Sequence, residues 1–349
     1  MTRYIHWILP LFSVVFLLVF GYFFLPLNDL GDTFGEVNYF ALIPAVAVYF
    51  LSIYFRAVRW RFLLKPVVGA TVRPIFPVIV VGRMAGNVLP GKFSGIVRAW
   101  YLGVREDVSA ASALGTVVAE RFLDAIALYV LIVLVWLLPG GLLSDLTEHA
   151  PGGESLFVVL SLVPVIFLGL ALGMVMIAPI RIYAIVVARI FFFVPVGLRI
   201  RLVGIAERLA VGLTVIRSPR VFAQVFVLSL PVWLAEVVAM GTIGIGFNLD
   251  DSFGGWIEFT SAMILFTAVV NLALIAPSIG GLSGTFTFFG AAALVALGVP
   301  EAKSGAFTLT AHAIVLFPIT LLGLAFVARD QISLRTLLFR RGERRDTMT

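Results

Sequence analysis

The chain has 349 residues, of which 61% are hydrophobic and 13% charged, and its mean hydropathy is +1.10. Soluble domains are about half apolar and about a quarter charged, so a water-soluble protein of this length is excluded and the sequence reads as a polytopic membrane protein. The net charge of +6 comes from basic residues placed between apolar runs, a pattern that sets membrane topology and meets anionic head groups rather than nucleic acid.

A membrane helix needs about 20 apolar residues. The first such run, Ile8 to Leu27, has no small-residue cleavage site and is followed by acidic residues, so it reads as a retained helix and not a signal peptide. A second run covers Tyr39 to Phe55. The segment Ile75 to Gly103 is apolar but interrupted at Asn87-Val88-Leu89-Pro90-Gly91-Lys92-Phe93-Ser94-Gly95. Full spans follow at Ser109 to Leu138 and Ser155 to Ala178. Residues 182–215 are apolar but studded with Arg, which fits an amphipathic helix on the cytoplasmic face. Another span covers Val221 to Gly246. The segment Trp256 to Gly298 is interrupted at Pro277-Ser278-Ile279-Gly280-Gly281-Leu282-Ser283-Gly284, and the last span is Gly305 to Val327. Proline removes a backbone donor and glycine loosens a helix, so both interruptions are expected helix ends. Freed backbone groups at membrane depth are tolerated only against protein or water, which makes each break a candidate cavity lining.

Charge orders these pieces. Asp29, Asp32 and Glu36, then Asp145, Glu148 and Glu154, then Asp250, Asp251 and Glu258 mark one side. Arg56, Arg59, Arg61, Lys65, Arg73, Arg98, Arg105, the arginines of 181–220 and those of the tail mark the other. The positive-inside rule then places both termini in the cytoplasm. The first broken segment dips in from the basic side and the second from the acidic side. Gly91-Lys92-Phe93-Ser94-Gly95 and Gly280-Gly281-Leu282-Ser283-Gly284 share three of five residues. The expectation is an all-α protein of about six full spans plus two re-entrant helical hairpins arranged as an inverted repeat, a plan typical of secondary transporters. It forms one transmembrane domain over 1–329, with halves of about 1–140 and 150–329 and a basic cytoplasmic tail at 330–349. If the first arm of the outer hairpin spans fully, the helix count changes but the central site does not.

Glu120, Arg121 and Asp124 lie in the third full span. Beyond them Ala125 to Leu138 is apolar and rises only about 21 Å, less than the roughly 30 Å hydrocarbon core. The trio therefore sits inside the membrane, where charges are costly and need partners or a wet cavity. It reads either as a polar site that handles a head group or proton, or as an ion pair locking helices together with Arg98 or Lys92. Arg83, Lys92 and Arg98 flank the first break, where basic residues beside exposed amides make an anion site, unless they merely snorkel. Arg56, Arg59, Trp60 and Arg61 read as an interfacial anchor, with phosphate gathering as the alternative. Glu236 beside Trp233 is a pathway carboxylate or an interhelical partner, and His312 a packing residue or a proton relay. Asn87 and Asn271 stand at or before the breaks and cap freed backbone or contact ligand; Ser94 and Ser283 lie within the broken stretches. No catalytic constellation, phosphate-binding loop or metal-ligand pattern occurs. With no Cys and only His6, His149 and His312, no cofactor and no metal are expected.

These motifs together resemble the flippase-like superfamily named for the transmembrane region of lysylphosphatidylglycerol synthases. Arg56-Ala57-Val58-Arg59-Trp60-Arg61 is similar to the family's "RalRWr". Asn87-Val88-Leu89-Pro90-Gly91-Lys92 with Val97-Arg98 resembles "NnllPaRlGElvR". Glu120-Arg121-Phe122-Leu123-Asp124 resembles "ERllD", and Pro277-Ser278 through Gly284-Thr285-Phe286 resembles "PSsPGyiGtF". Ser94-Gly95 stand where the family often has Gly-Glu, and Ile279-Gly280 replace a Ser-Pro pair. The resemblance covers nearly the whole chain and implies movement of lipids: phospholipid, aminoacyl-phospholipid or polyprenyl-phosphate sugar. The aminoacyl transfer of that family belongs to a soluble C-terminal domain, so synthase activity is not implied. The expectation is a flippase of the cytoplasmic membrane and not an enzyme. Its head-group contacts would be Lys92, Arg98, Asn87, Arg83, Arg59, Ser94, Ser283 and Asn271, and its polar relay Glu120, Arg121, Asp124, Glu236 and His312. The alternative is a membrane-embedded transferase or an accessory subunit of one. Expected partners are membrane lipid and anionic head groups, with a homodimer left open.

Overall fold

The computed structural model describes residues 33–69, 71–88, 94–137, 185, 189–190, 195–274 and 281–330. Among them all regular structure is helical. The main elements are α1 (Leu42–Leu64), α2 (Val72–Val88), α3 (Ser94–Glu106), α4 (Ala110–Leu137), α5 (Val196–Leu213), α6 (Pro219–Gly246), α7 (Trp256–Ala273), α8 (Gly281–Ala296) and α9 (Glu301–Arg329). The expected spans at Ile8–Leu27 and Ser155–Ala178 lie outside the described residues.

Helix ends follow the local sequence. Ser218 is extended and Pro219 opens α6, the position where a fixed φ and a missing N–H cost nothing. At the far end of α6, Asn248 takes φ +51° and the Leu249 N–H reaches the Gly244 carbonyl at 2.9 Å. Gly298 closes α8 in the same way, with φ +86° and the Val299 N–H on the Leu294 carbonyl at 3.0 Å. Both are left-handed caps that return carbonyls a partner. Lys303 ties the first of these turns to the start of α9 through the Asn248 carbonyl at 2.6 Å.

The central contact is the antiparallel seam of α1 and α6. The Asn38 N–H donates to the Gly246 carbonyl at 2.9 Å, and further along Ser52 and Arg56 meet Glu236, and Arg59 meets Ser229. Around the seam the packing comes in matched pairs: α1 on α2 and α6 on α7, α2 on α3 and α7 on α8, α3 on α4 and α8 on α9, α2 on α9 and α7 on α4. Arg105 of α3 pairs with Asp330 after α9 at 2.7 Å, and Phe76 of α2 packs edge-on against Phe326. These contacts gather one end of the bundle, where Arg61, Lys65, Arg73, Arg105 and Arg329 lie. Glu36, Asp250, Asp251 and Glu301 belong to the opposite end. Two apolar clusters stack between the ends, their border crossing α1 between Ala45 and Tyr49 and α4 between Leu123 and Ala127.

Four helices among the described residues are long and apolar enough to cross a membrane: Tyr39–Leu64, Pro219–Gly246, Trp256–Ala273 and Glu301–Arg329. One point differs from the sequence reading: α1 runs nine residues beyond Phe55, because buried partners carry its arginines into the bundle. α7, the first arm of the outer hairpin, is of spanning length, an alternative the sequence left open. Both interrupted segments do divide into two helices, α2 and α3 in one and α7 and α8 in the other.

The Arg-studded segment forms α5, which crosses α4 at backbone contact. A Cβ on Gly115 would lie 2.1 Å from the Leu209 carbonyl oxygen, and one on Gly212 2.2 Å from that of Ser112. Gly115→Ala must therefore push the helices apart, and overpacking of this kind costs about 1–3 kcal/mol. The expected result is a lower midpoint of thermal unfolding in detergent; an unchanged midpoint would mean the crossing contributes nothing to stability.

Candidate functional site

One stripe of α1, Tyr49, Ser52, Arg56 and Arg59, faces inward at spacings of three and four residues, and all four are buried. Thr116, Glu120 and Asp124 form the matching stripe on α4, and α6 adds Ser229, Trp233 and Glu236. Arg59 is fully enclosed. Its Nη1 donates to Asp124 Oδ1 at 2.7 Å and Ser229 Oγ at 2.9 Å, and its Nη2 to Glu120 Oε1 at 2.7 Å. Arg56 Nη2 donates to Glu236 Oε1 at 2.7 Å, and its Nη1 lies 3.5 Å from Asp124 Oδ2. Arg98 of α3 pairs with Glu120 Oε2 at 2.6 Å. Arg83 of α2 donates to the Tyr49 hydroxyl at 2.9 Å and lies 3.6 Å from Glu236.

The result is a row of alternating sign: Arg83, Glu236, Arg56, Asp124, Arg59, Glu120, Arg98. Ions removed from water are tolerated when paired, and every ion of this row has an opposite charge within 3.6 Å, although atoms such as Arg98 Nε and Asp124 Oδ2 are buried without a hydrogen-bond partner. Aromatic faces add to it. The Arg98 guanidinium lies 3.6 Å from the Trp60 ring centroid, and Arg56 4.6 Å from that of Trp233, a favourable placement for a cation. Trp60 is itself fixed by its Nε1–H on Thr116 Oγ1 at 3.0 Å.

A cavity of about 50 Å³ adjoins the Arg83 end, lined by Tyr49, Arg83, Glu236, Thr267, Asn271 and apolar residues including Phe266, Phe286 and Val315. Water occupies about 30 Å³ in the liquid, so this space suits a small polar group rather than a whole lipid head group. A second cavity, of about 240 Å³, lies at the acidic end beside Glu36 and Lys303. Among the described residues no cluster of His, Asp or Glu is arranged to hold a metal ion.

Several expected site residues thus converge. Arg59, Arg98, Glu120, Asp124 and Glu236 share the row, Arg83 ends it, and Asn271 reaches Glu236 Oε2 at 3.4 Å while donating to the Thr267 carbonyl at 2.9 Å. The ion pair of Glu120 with Arg98 is present, as one of the two sequence readings had it. Others stand apart. Asn87 donates to Thr320 Oγ1 at 3.0 Å and the Leu316 carbonyl at 3.4 Å, tying the end of α2 to α9. Ser94 packs at Gly86 in the α2–α3 contact. Arg121 is exposed on another face of α4. His312 stacks on Phe286 with ring centroids 4.8 Å apart. Lys92 and the side chain of Ser283 lie outside the described residues. The anchor reading of Arg56, Arg59 and Trp60 is corrected: all three are buried partners inside the bundle. Sequence reasoning missed Tyr49, Ser52 and Ser229. Their only signal was polar residues recurring at helical spacing in apolar runs.

The sequence model of the family described as "Lysylphosphatidylglycerol synthase TM region" matches residues 10–323. The chain belongs to this family. The match takes in every helix of the charged row, so the lysylphosphatidylglycerol synthase transmembrane-region family, a membrane domain associated with lipid handling, supplies the frame for the site. No curated protein and no solved structure gives a significant match.

Proposed function

We propose that the chain is a lipid flippase of the cytoplasmic membrane, moving a lipid whose head group is anionic or phosphate-linked. One observation carries this reading: a charged row with a small polar cavity lies in an apolar bundle, between the ends of two helix pairs. The pairs approach along α9 from opposite directions. α2 and α3 have their outer ends by Phe326 and Asp330, while Asn87 reaches Leu316 and Thr320, about 15–20 Å along α9 from Asp330. From the acidic end, α8 runs past α9 with Gly290 at Thr308 and Phe286 at His312. This supports two hairpins that enter from opposite faces and meet near the middle. The antiparallel α1–α6 seam and the matched packing support an inverted repeat with halves of about 1–140 and 150–329 in one domain. The basic end, with both termini, then faces the cytoplasm.

In this mechanism the head group enters between the hairpins from the basic end while the lipid tail stays in the bilayer. Arg83 and Asn271, which line the cavity, present polar groups to it. Arg59, Arg98, Glu120 and Asp124 act as the charged clamp behind that surface, and the hairpins rock against the α1–α6 seam to change access. The test is reconstitution in liposomes with a labelled lipid. Wild-type protein is expected to move the label between leaflets and Glu120→Gln to slow it at least about tenfold, the scale of losing one charged partner. Equal rates would remove the row from the mechanism. Folded wild-type protein that moves none of the phospholipid, aminoacyl-phospholipid or polyprenyl-phosphate labels would sink the transport reading.

A further inference from the structure

The charged row does not balance. It holds four guanidinium groups, Arg83, Arg56, Arg59 and Arg98, against three carboxylates, Glu236, Asp124 and Glu120, which leaves one positive charge (4 − 3 = 1). The two ends of the row differ. At one end Arg98 is closed off: its side chain is 9% exposed, it holds Glu120 at 2.6 Å and it lies on the Trp60 ring. At the other end Arg83 is 27% exposed and lines the cavity, and its ion pair with Glu236 is loose at 3.6 Å.

Glu236 does not depend on Arg83. Its carboxylate keeps Arg56 at 2.7 Å, Ser52 at 3.3 Å and Asn271 at 3.4 Å. Arg83 can therefore turn from Glu236 to a ligand without stranding a buried anion, the step that is expensive elsewhere in the row. Tyr49 accepts from Arg83 at 2.9 Å, and its own hydroxyl hydrogen is left to give.

We propose that Arg83 and Tyr49 form an anion site in this cavity that takes a single negative charge, a phosphodiester or phosphate oxygen pair, and so neutralises the row. A planar guanidinium matches such an oxygen pair with two parallel hydrogen bonds. The cavity of about 50 Å³ accommodates the charged oxygens. This assignment rests on the flippase reading for its ligand source, since the same chemistry is offered by a lipid head group or by free phosphate.

The test uses the purified full chain in neutral detergent, offered equal amounts of phosphatidylglycerol and diacylglycerol with the same acyl chains, with bound lipid read by native mass spectrometry. Wild-type protein is expected to retain the phosphate-bearing lipid about tenfold over the one without phosphate, the scale of a charge-assisted hydrogen bond. Arg83→Gln is expected to bring the ratio to near parity, Arg83→Lys to restore part of it, and Tyr49→Phe to lose about threefold. Elution volume and thermal midpoint report folding of each variant. Displacement of the lipid by millimolar inorganic phosphate, dependent on Arg83, also supports the site and names the free ion as a ligand. Unchanged preference in both folded Arg83→Gln and Tyr49→Phe overturns it. The two readings fail separately. Arg83-dependent retention without leaflet exchange keeps the anion site and removes transport. Leaflet exchange with a head-group preference indifferent to Arg83 keeps transport and removes the anion site.

Discussion

Arg59→Leu is expected to destabilise the protein by about 3–5 kcal/mol, the cost of breaking a buried ion pair by removing one partner. Arg59 is fully buried and gives hydrogen bonds to Asp124, Glu120 and Ser229. Removing it leaves two carboxylates facing each other from α4 at a spacing of four residues, with only Arg98 and the 3.5 Å contact of Arg56 to hold them. Thermal unfolding in detergent, together with the monodisperse fraction after solubilisation, measures the effect. A midpoint within a degree or two of wild type would mean that the row is not a structural clamp.

The second large effect separates stability from function. Glu236→Leu alone should cost about 3–5 kcal/mol, because it strands Arg56 in the interior beside Trp233 and Asp124. Adding Arg56→Leu removes the stranded charge as well, and paired replacement of buried ions by apolar side chains is often close to neutral. The double variant is therefore expected to recover most of the lost thermal midpoint. Its leaflet-exchange rate in liposomes should stay low, because the cavity loses the carboxylate that Arg83 rests against. Recovery of both properties together would show that this end of the row serves folding alone. Failure to recover stability would locate the cost in packing against Tyr49 and Ser52 rather than in charge.

Much of this arrangement was legible in the sequence because it rests on lengths and charges. The short apolar stretch after Asp124 called for partners around Glu120 and Asp124, and both are buried and ion-paired. The breaks at Pro90 and Pro277 were enough to divide two apolar segments, each of which yields a pair of helices. Apart from Glu120 with Arg98, the identities of the partners were not legible. Hydropathy reads Arg56 as the end of a helix, yet α1 continues to Leu64 because Glu236, 180 residues away in sequence, neutralises that arginine. Ser229 lies 170 residues from Arg59 and Glu120 61 residues from it. No local pattern joins such residues; only the antiparallel seam brings them to one level. Arg98 reads either as part of an anion site or as a partner of Glu120, and Glu120 and the Trp60 ring occupy it; of the four arginines of the row, the most exposed is Arg83, before the break. Whether α7 spans was left open for a related reason, because a proline after a helix marks its end and says nothing about how deep that end lies.

The antiparallel seam of α1 and α6 has a consequence for the membrane that houses it. The charged row beside this seam carries guanidinium groups in excess over carboxylates, and positive charge held in a protein interior repels protons and metal ions. Under the proposed transport mechanism, the same excess that favours an anionic head group keeps cations from leaking beside it.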